Sequence, residues 1–257
     1  MPTRISHLPA WQIEPAEKVL RTAIDSWNLG IGKGGIGQRP RVFVTVSREP
    51  GAGALSFSHR LAEQLNGDGA GDWLAWDREL VEKVSAEHGI GKEIIELIES
   101  TPHGWLNDLL MGFAGGSDPP DVVETRAYKR VAMTLRTLAA AGHAILVGRG
   151  SNFITQGMPG GIHLRLVAPL GFRVKSLAER ENLTPKQAAG KIAELTRLRS
   201  EFFRRYWPGK ELTPEGFTMT LNVAEMSLEE MVDCALPLIR ARDGAPVATA
   251  AGEGMAN

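Results

Sequence analysis

Two features of this sequence have chemistry in them: a glycine-rich corner, and arginines drawn from separate segments. The stretch VTVSREPGAGALSFSHRLAEQL reads as a strand ending at Ser47, a loop holding Gly51 and Gly53, then a helix. Such a corner points backbone N–H groups and a helix dipole at an anion. Against the phosphate-loop pattern GxxxxGK(S/T), Ala54 stands in the lysine position and Leu55 in the hydroxyl position. Taken alone, the loop reads equally well as a strand–turn–helix corner with no ligand. A second run, GIGKGGIG, precedes the first strand and leads into no helix, so it reads as a linker.

Phosphoryl transfer asks a protein for alignment and charge neutralisation rather than covalent work. Arginines from several elements should therefore converge. Arg48 lies at the strand end beside the loop, where it could supply the cation that Ala54 lacks. Arg149 sits between Gly148 and Gly150, just past the apolar run HAILVG. Asp77 and Arg78 follow the short run DWLAW, and Asp77 also reads as an N-cap for RELVEKVS. The segment 173–205 carries Arg173, Lys175, Arg180, Lys191, Arg197, Arg199, Arg204 and Arg205. Glu179, Glu181, Glu194 and Glu201 are interspersed, the pattern of a solvated charged face. The histidines have no metal spacing and no GxSxG elbow is present. Trp73, Trp76, Trp105 and Trp207 read as packing residues.

The elements that must hold these groups alternate. Strands are expected at 41–47, 72–76, 143–148, 162–167 and 217–222, with helical periodicity between them. Asp118, Pro119 and Gly142 frame one long helix. Thr184 with Gln187, and Ser227 with Glu230, have capping-box spacing, and Pro185 suits a first helical position. Strands alternating with helices argue for a parallel sheet covered on both faces. A ligand then belongs at the carboxyl ends of the strands. Residues 1–40 read as an appendage, an N-terminal helix with Val19, Leu20, Ala23, Ile24 and Trp27 on its apolar side, followed by a flexible linker. Residues 241–257 read as a loose tail.

The chain has 257 residues, 43% of them hydrophobic and 23% charged, with a formal net charge of −1. That balance offers no global basic field for nucleic acid or an anionic membrane. The lone Cys234 excludes an internal disulfide and a thiolate cluster. No apolar run suits a signal peptide or a membrane span, so a cytoplasmic protein is expected. A homodimer is left open.

SREPGAG, WDRELVEKVS, VGRGSNFI and the arginine-rich segment, in this order and spacing, resemble the cytidylate-kinase-like family of P-loop proteins. The likeness runs from about Arg41 to about Leu236. It implies a three-layer P-loop kinase fold over residues 41–240, with a five-stranded parallel sheet, a helical acceptor-binding region and a lid at about 173–207. The family's loop commonly lacks the lysine. Ser47, Arg48, Gly51 and Gly53 match it, whereas Ala52, Ala54 and Leu55 depart.

The resemblance also implies roles. ATP with Mg2+ would bind along Ser47–Ser56, through Ser47, Gly51, Gly53 and Ser56. A nucleoside monophosphate, cytidylate among the candidates, would be held by Asp77, Arg78 and Arg149. Arg48, Arg197 and Arg199 would neutralise the moving phosphoryl group, and Arg173 and Arg180 would serve the nucleotide base or the lid. No protein ligand set for a metal is readable. Ala54, Leu55, and Thr196 in a position where aspartate is usual, keep a second reading open: a catalytically weak nucleotide-binding regulatory module with a degenerate P-loop.

Overall fold

A computed structural model describes residues 10–28, 41–67, 72–86, 122–148 and 150–244. Arg149, Asp118, Pro119, the GIGKGGIG run, Trp105, the acceptor region expected at 90–118 and the tail from residue 245 lie outside the described residues. In chain order the elements are α1 (Ala10–Asn28), β1 (Phe43–Arg48), α2 (Ala54–Gly67), β2 (Leu74–Trp76), α3 (Arg78–Ala86), α4 (Val122–Ala141), β3 (Ala144–Val147), α5 (Ser151–Ile154), β4 (Gly161–Val167), α6 (Leu170–Glu181), α7 (Pro185–Tyr206), β5 (Met219–Asn222) and α8 (Leu228–Asp243).

The five strands form one parallel sheet in the order β2-β3-β1-β4-β5. β1 lies at its centre, where Val44 stands beside Ile145 of β3 and Ile162 of β4. A central parallel strand is covered on both faces, which is why FVTVS is buried at every residue. On one face Val44, Val46, Leu164 and Leu166 pack with Phe57 and Leu61 of α2 and Val232 and Ile239 of α8. On the other face Phe43 and Leu146 pack with α3, α4 and α5. β4 feeds only the first face. Ile162, Leu164 and Leu166 are buried, while Gly161, His163, Arg165 and Val167 between them are half-buried.

The N-terminal helix is not an appendage. Leu20 and Ile24 of α1 are almost fully enclosed, and they join the same core as Val84 of α3 and Leu138 of α4. Its apolar stripe, with Ala16, Leu20, Ala23 and Ile24 at helical spacing, is legible as amphipathic. What that stripe packs against is a tertiary fact.

α6 and α7 form a hairpin with a small apolar cluster of its own, Leu177, Ala188 and Ile192. Asn182 ends α6 in the left-handed conformation. Thr184 and Gln187 then make the expected capping box, with Pro185 opening α7. Ser227 and Glu230 cap α8 in the same way. The carboxyl end of α7 re-enters the main core through Tyr206 and Trp207, which pack against Tyr128 of α4. Among the described residues no helix is long and apolar enough to cross a membrane.

Substituting Leu20→Ala should lower the unfolding free energy by about 2–5 kcal/mol, the cost of deleting a buried leucine side chain. Urea denaturation measures it. A loss under about 0.5 kcal/mol would return α1 to the status of an appendage.

Candidate functional site

The carboxyl edge of the sheet gathers four chain segments. β1 ends at Arg48, β2 is followed by Asp77, β3 by Gly148 and β4 by Ala168. The loop after β1 turns sharply. Glu49 donates its N–H to the Leu166 carbonyl (3.1 Å), and Ala52 donates to the Glu49 carbonyl (3.1 Å). Gly51 and Gly53 have φ of 90° and 68°, a conformation that glycine adopts without penalty. Gly51 is also crowded: a Cβ there would lie 3.0 Å from both the Cβ and the carbonyl oxygen of Arg173.

Arg173, in the first turn of α6, therefore lies directly against this loop. Its Nε donates to the Ala168 carbonyl (2.9 Å), and its guanidinium donates to the Pro50 carbonyl (3.3 Å) and pairs with Glu49 at 3.4 Å. Glu49 in turn accepts from the Ala168 N–H at 3.1 Å. Loop and hairpin are joined by these contacts.

The second junction is Arg199 of α7. Its guanidinium donates to the Arg48 carbonyl and, at 2.9 Å, to the Ser47 hydroxyl, and it lies 5.1 Å from the centre of the Phe203 ring. Beside it is a cavity of about 300 Å³ lined by Ser47, Arg48, Arg78, Gly148, Asn152, Arg199 and Phe202, among others. Arg48 presses against Gly148 so closely that a Cβ at that glycine would lie 1.7 Å from a guanidinium nitrogen.

Two arginines of this corner are held in unfavourable surroundings for their charge. Burial lowers the Arg48 pKa from its ordinary value, Asp77 opposes that, and Arg78 adds to it. Arg199 is lowered to about 10, first by burial and then by the charges of Arg48 and Arg165, against the pull of Glu49. Among the described residues neither guanidinium is hydrogen-bonded to a carboxylate. Two cations share a desolvated corner, which an anion would relieve.

The structure thus brings Ser47, Arg48, Arg78 and Arg199 to the cavity wall and leaves Gly51 and Arg173 beside it. Asp77 does not line the cavity; it caps α3, its carboxylate accepting the Leu80 N–H at 2.8 Å, and acts on Arg48 by its charge. Arg78 is also paired with Glu82 at 3.3 Å. Gly53 faces open space, with nothing within 4 Å of an added Cβ. Ser56 is exposed on α2 and Arg180 on α6, and neither lines the cavity. Arg197 is not brought in either. It is exposed and held by Glu194 (2.7 Å) and Glu201 (2.5 Å), which raise its pKa. The Thr196 hydroxyl is spent on the Ile192 carbonyl at 2.8 Å.

Sequence reasoning missed Phe202, Phe203 and Asn152. The two phenylalanines had a signal, since they stand three and four places after Arg199 on one helix. Asn152 had none beyond its position after a strand. No group of three or more His, Cys, Asp or Glu able to hold a metal occurs among the described residues.

A family model described as the cytidylate kinase-like family matches residues 43–225, a span that holds all five strands and the cavity. The crystal structure of an uncharacterized protein from Eubacterium ventriosum superposes with a TM-score of 0.59 at 16% identity, covering 78% of this chain and 99% of that one. At that identity the likeness carries the fold alone. A uronate isomerase from Corynebacterium glutamicum is 23% identical over 151 residues, which cover 58% of this chain. The match spans 29% of that enzyme's length.

Gly148→Ala drives a methyl group into the Arg48 guanidinium. We expect tripolyphosphate affinity to fall on the order of tenfold, the worth of one charge-assisted contact, in a calorimetric titration. Unchanged affinity would mean that Arg48 does not serve the anion. For the wild type, affinity should fall as pH rises past about 10, where the folded protein begins to lose the Arg199 charge.

Proposed function

The chain belongs to the cytidylate kinase-like family, and on that premise we propose that it transfers the γ-phosphoryl group of ATP to a nucleoside monophosphate, cytidylate among them. One observation carries the proposal. Arg48 and Arg199, drawn from β1 and α7, share a buried corner beside an open cavity at the carboxyl edge of a parallel sheet. Transfer of a phosphoryl group between two phosphate-bearing molecules calls for converging cations of this kind.

In this reading the ATP phosphates lie along Ser47–Ser56, on the N–H groups of the loop at Gly51 and Gly53. Ala54 brings no lysine to that loop, and Arg48 supplies the cation instead. The acceptor lies across the cavity, its phosphate against Arg78 and Arg149. The hairpin of α6 and α7 acts as the lid, closing through Arg173 on the loop and Arg199 on the strand end, and it excludes water that would hydrolyse ATP. An acceptor phosphate oxygen forms the new bond to the γ-phosphorus, and the bond to the β–γ bridging oxygen breaks, leaving ADP. Arg48 and Arg199 neutralise charge on the moving group throughout. Magnesium is commonly held by one or two carboxylates together with nucleotide phosphates. The sparse acidic residues of the site fit that mode, with Asp77 as the carboxylate at hand. Mg2+ would supply further charge neutralisation.

A second reading has its own observation. Leu55, 45% exposed, stands in the first turn of α2 where a polar side chain would meet a phosphate. A module that binds nucleotide without turnover would tolerate it.

The test is a phosphotransfer assay with Mg·ATP over the common nucleoside monophosphates. Turnover is expected, and Arg199→Ala should cut kcat on the order of 10³-fold, as loss of an arginine finger does. If no acceptor is phosphorylated yet Mg·ATP at about 100 times Kd raises stability by about 2.7 kcal/mol, the non-catalytic module is the right reading.

A further inference from the structure

Glu49 is the one acid between Ser47 and Ser56, and its charge has the wrong sign for a phosphate ligand there. Its carboxylate accepts the Ala168 N–H at 3.1 Å and faces the Arg173 guanidinium at 3.4 Å. That separation exceeds the roughly 2.7–2.9 Å of a charge-assisted hydrogen bond. The Arg173 Nε proton goes instead to the Ala168 carbonyl at 2.9 Å, and a terminal N–H goes to the Pro50 carbonyl at 3.3 Å. Among the described residues the other guanidinium donors have no acceptor. Glu49 and Arg173 are therefore joined by charge rather than by a directed bond, and a better anion can part them.

The two partners are unequally free to move. The Arg173 side chain is 14% exposed and the Glu49 side chain 33%. The carboxylate can turn into water once released, whereas the arginine stays nearly enclosed. An enclosed cation without an anion is costly, so Arg173 needs a negative partner whether or not a ligand is present. Glu49 also opposes the burial of Arg199 through its charge, so one carboxylate serves both arginines that join the hairpin to the strand end. A polyphosphate brings more charge than a carboxylate and several acceptor oxygens on each phosphorus. Arg173 lies in the first turn of α6, seated on the loop at Gly51, so whatever holds this guanidinium also holds the hairpin.

We propose that Glu49 is a built-in substitute for phosphate: it holds Arg173, and with it the hairpin of α6 and α7, on the empty loop until an incoming polyphosphate displaces it. The inference rests on the phosphate-loop reading proposed above. Glu49 is then a competitor of the ligand. It lowers polyphosphate affinity, and it keeps Arg173 neutralised and the hairpin seated while the loop is empty.

The experiment is a calorimetric titration of the full chain with inorganic tripolyphosphate. Glu49→Gln keeps an oxygen for the Ala168 N–H and drops the charge, and affinity should rise on the order of tenfold. Glu49→Asp keeps the charge but draws the carboxylate back from Arg173 by one methylene, and affinity should rise here too. Arg173→Gln should bind more weakly than the wild type, and in that background Glu49→Gln should gain less than it gains alone. A gain undiminished by the loss of Arg173 marks plain repulsion between carboxylate and phosphate and overturns the inference. So does unchanged affinity in Glu49→Asp, which decides the matter should Arg173→Gln fail to fold. An affinity that stays or falls in Glu49→Gln shows a carboxylate that only braces the loop, and overturns the inference as well. Each of these leaves the kinase reading intact. If neither the wild type nor Glu49→Gln binds tripolyphosphate, the phosphate-loop reading falls, and this inference with it.

Discussion

Arg199 ties the molecule together at the carboxyl edge of its sheet. A single guanidinium from α7 reaches the last residues of the central strand, donating to the Arg48 carbonyl and the Ser47 hydroxyl. The bond is made in a place poor in water and already positive, so burial and the nearby charges of Arg48 and Arg165 oppose the arginine's own charge. A protein can sustain that arrangement because two of the guanidinium's donors are directed at a backbone and a hydroxyl oxygen. The helical hairpin, the glycine loop and the cavity all take their relative positions from this contact and from its counterpart at Arg173.

Much of the framework could be read in the residues. All five expected strands exist, because β-branched apolar runs between turn signals can be satisfied only in a sheet, and their alternation with helices forces parallel pairing. Both capping boxes form because their hydrogen bonds are local to four residues. The role of α1 was less legible. Periodicity marks an apolar stripe but does not name the surface that receives it, and here that surface belongs to helices far along the chain.

The candidate site was half legible for a related reason. Arg197 and Arg199 are two residues apart, so on a helix they point in nearly opposite directions. Glu194 and Glu201, three before and four after Arg197, hold it at the surface. Phe203, four after Arg199, lies under the guanidinium on the inner side. Those spacings carry the distinction, but only once the inward face of α7 is known. The closeness of Gly148 to Arg48 is a separate case, since it depends on the register of β1 against β3 and leaves no local trace.

The small apolar cluster of Leu177, Ala188 and Ile192 has a consequence of its own. It gives α6 and the first half of α7 a private source of cohesion, largely independent of the sheet. A segment with its own apolar cluster would be expected to open as one cooperative unit, α7 bending ahead of its core-anchored carboxyl end. Its backbone amides would then swap hydrogen for deuterium in concert, through an excursion cheaper than unfolding the whole molecule.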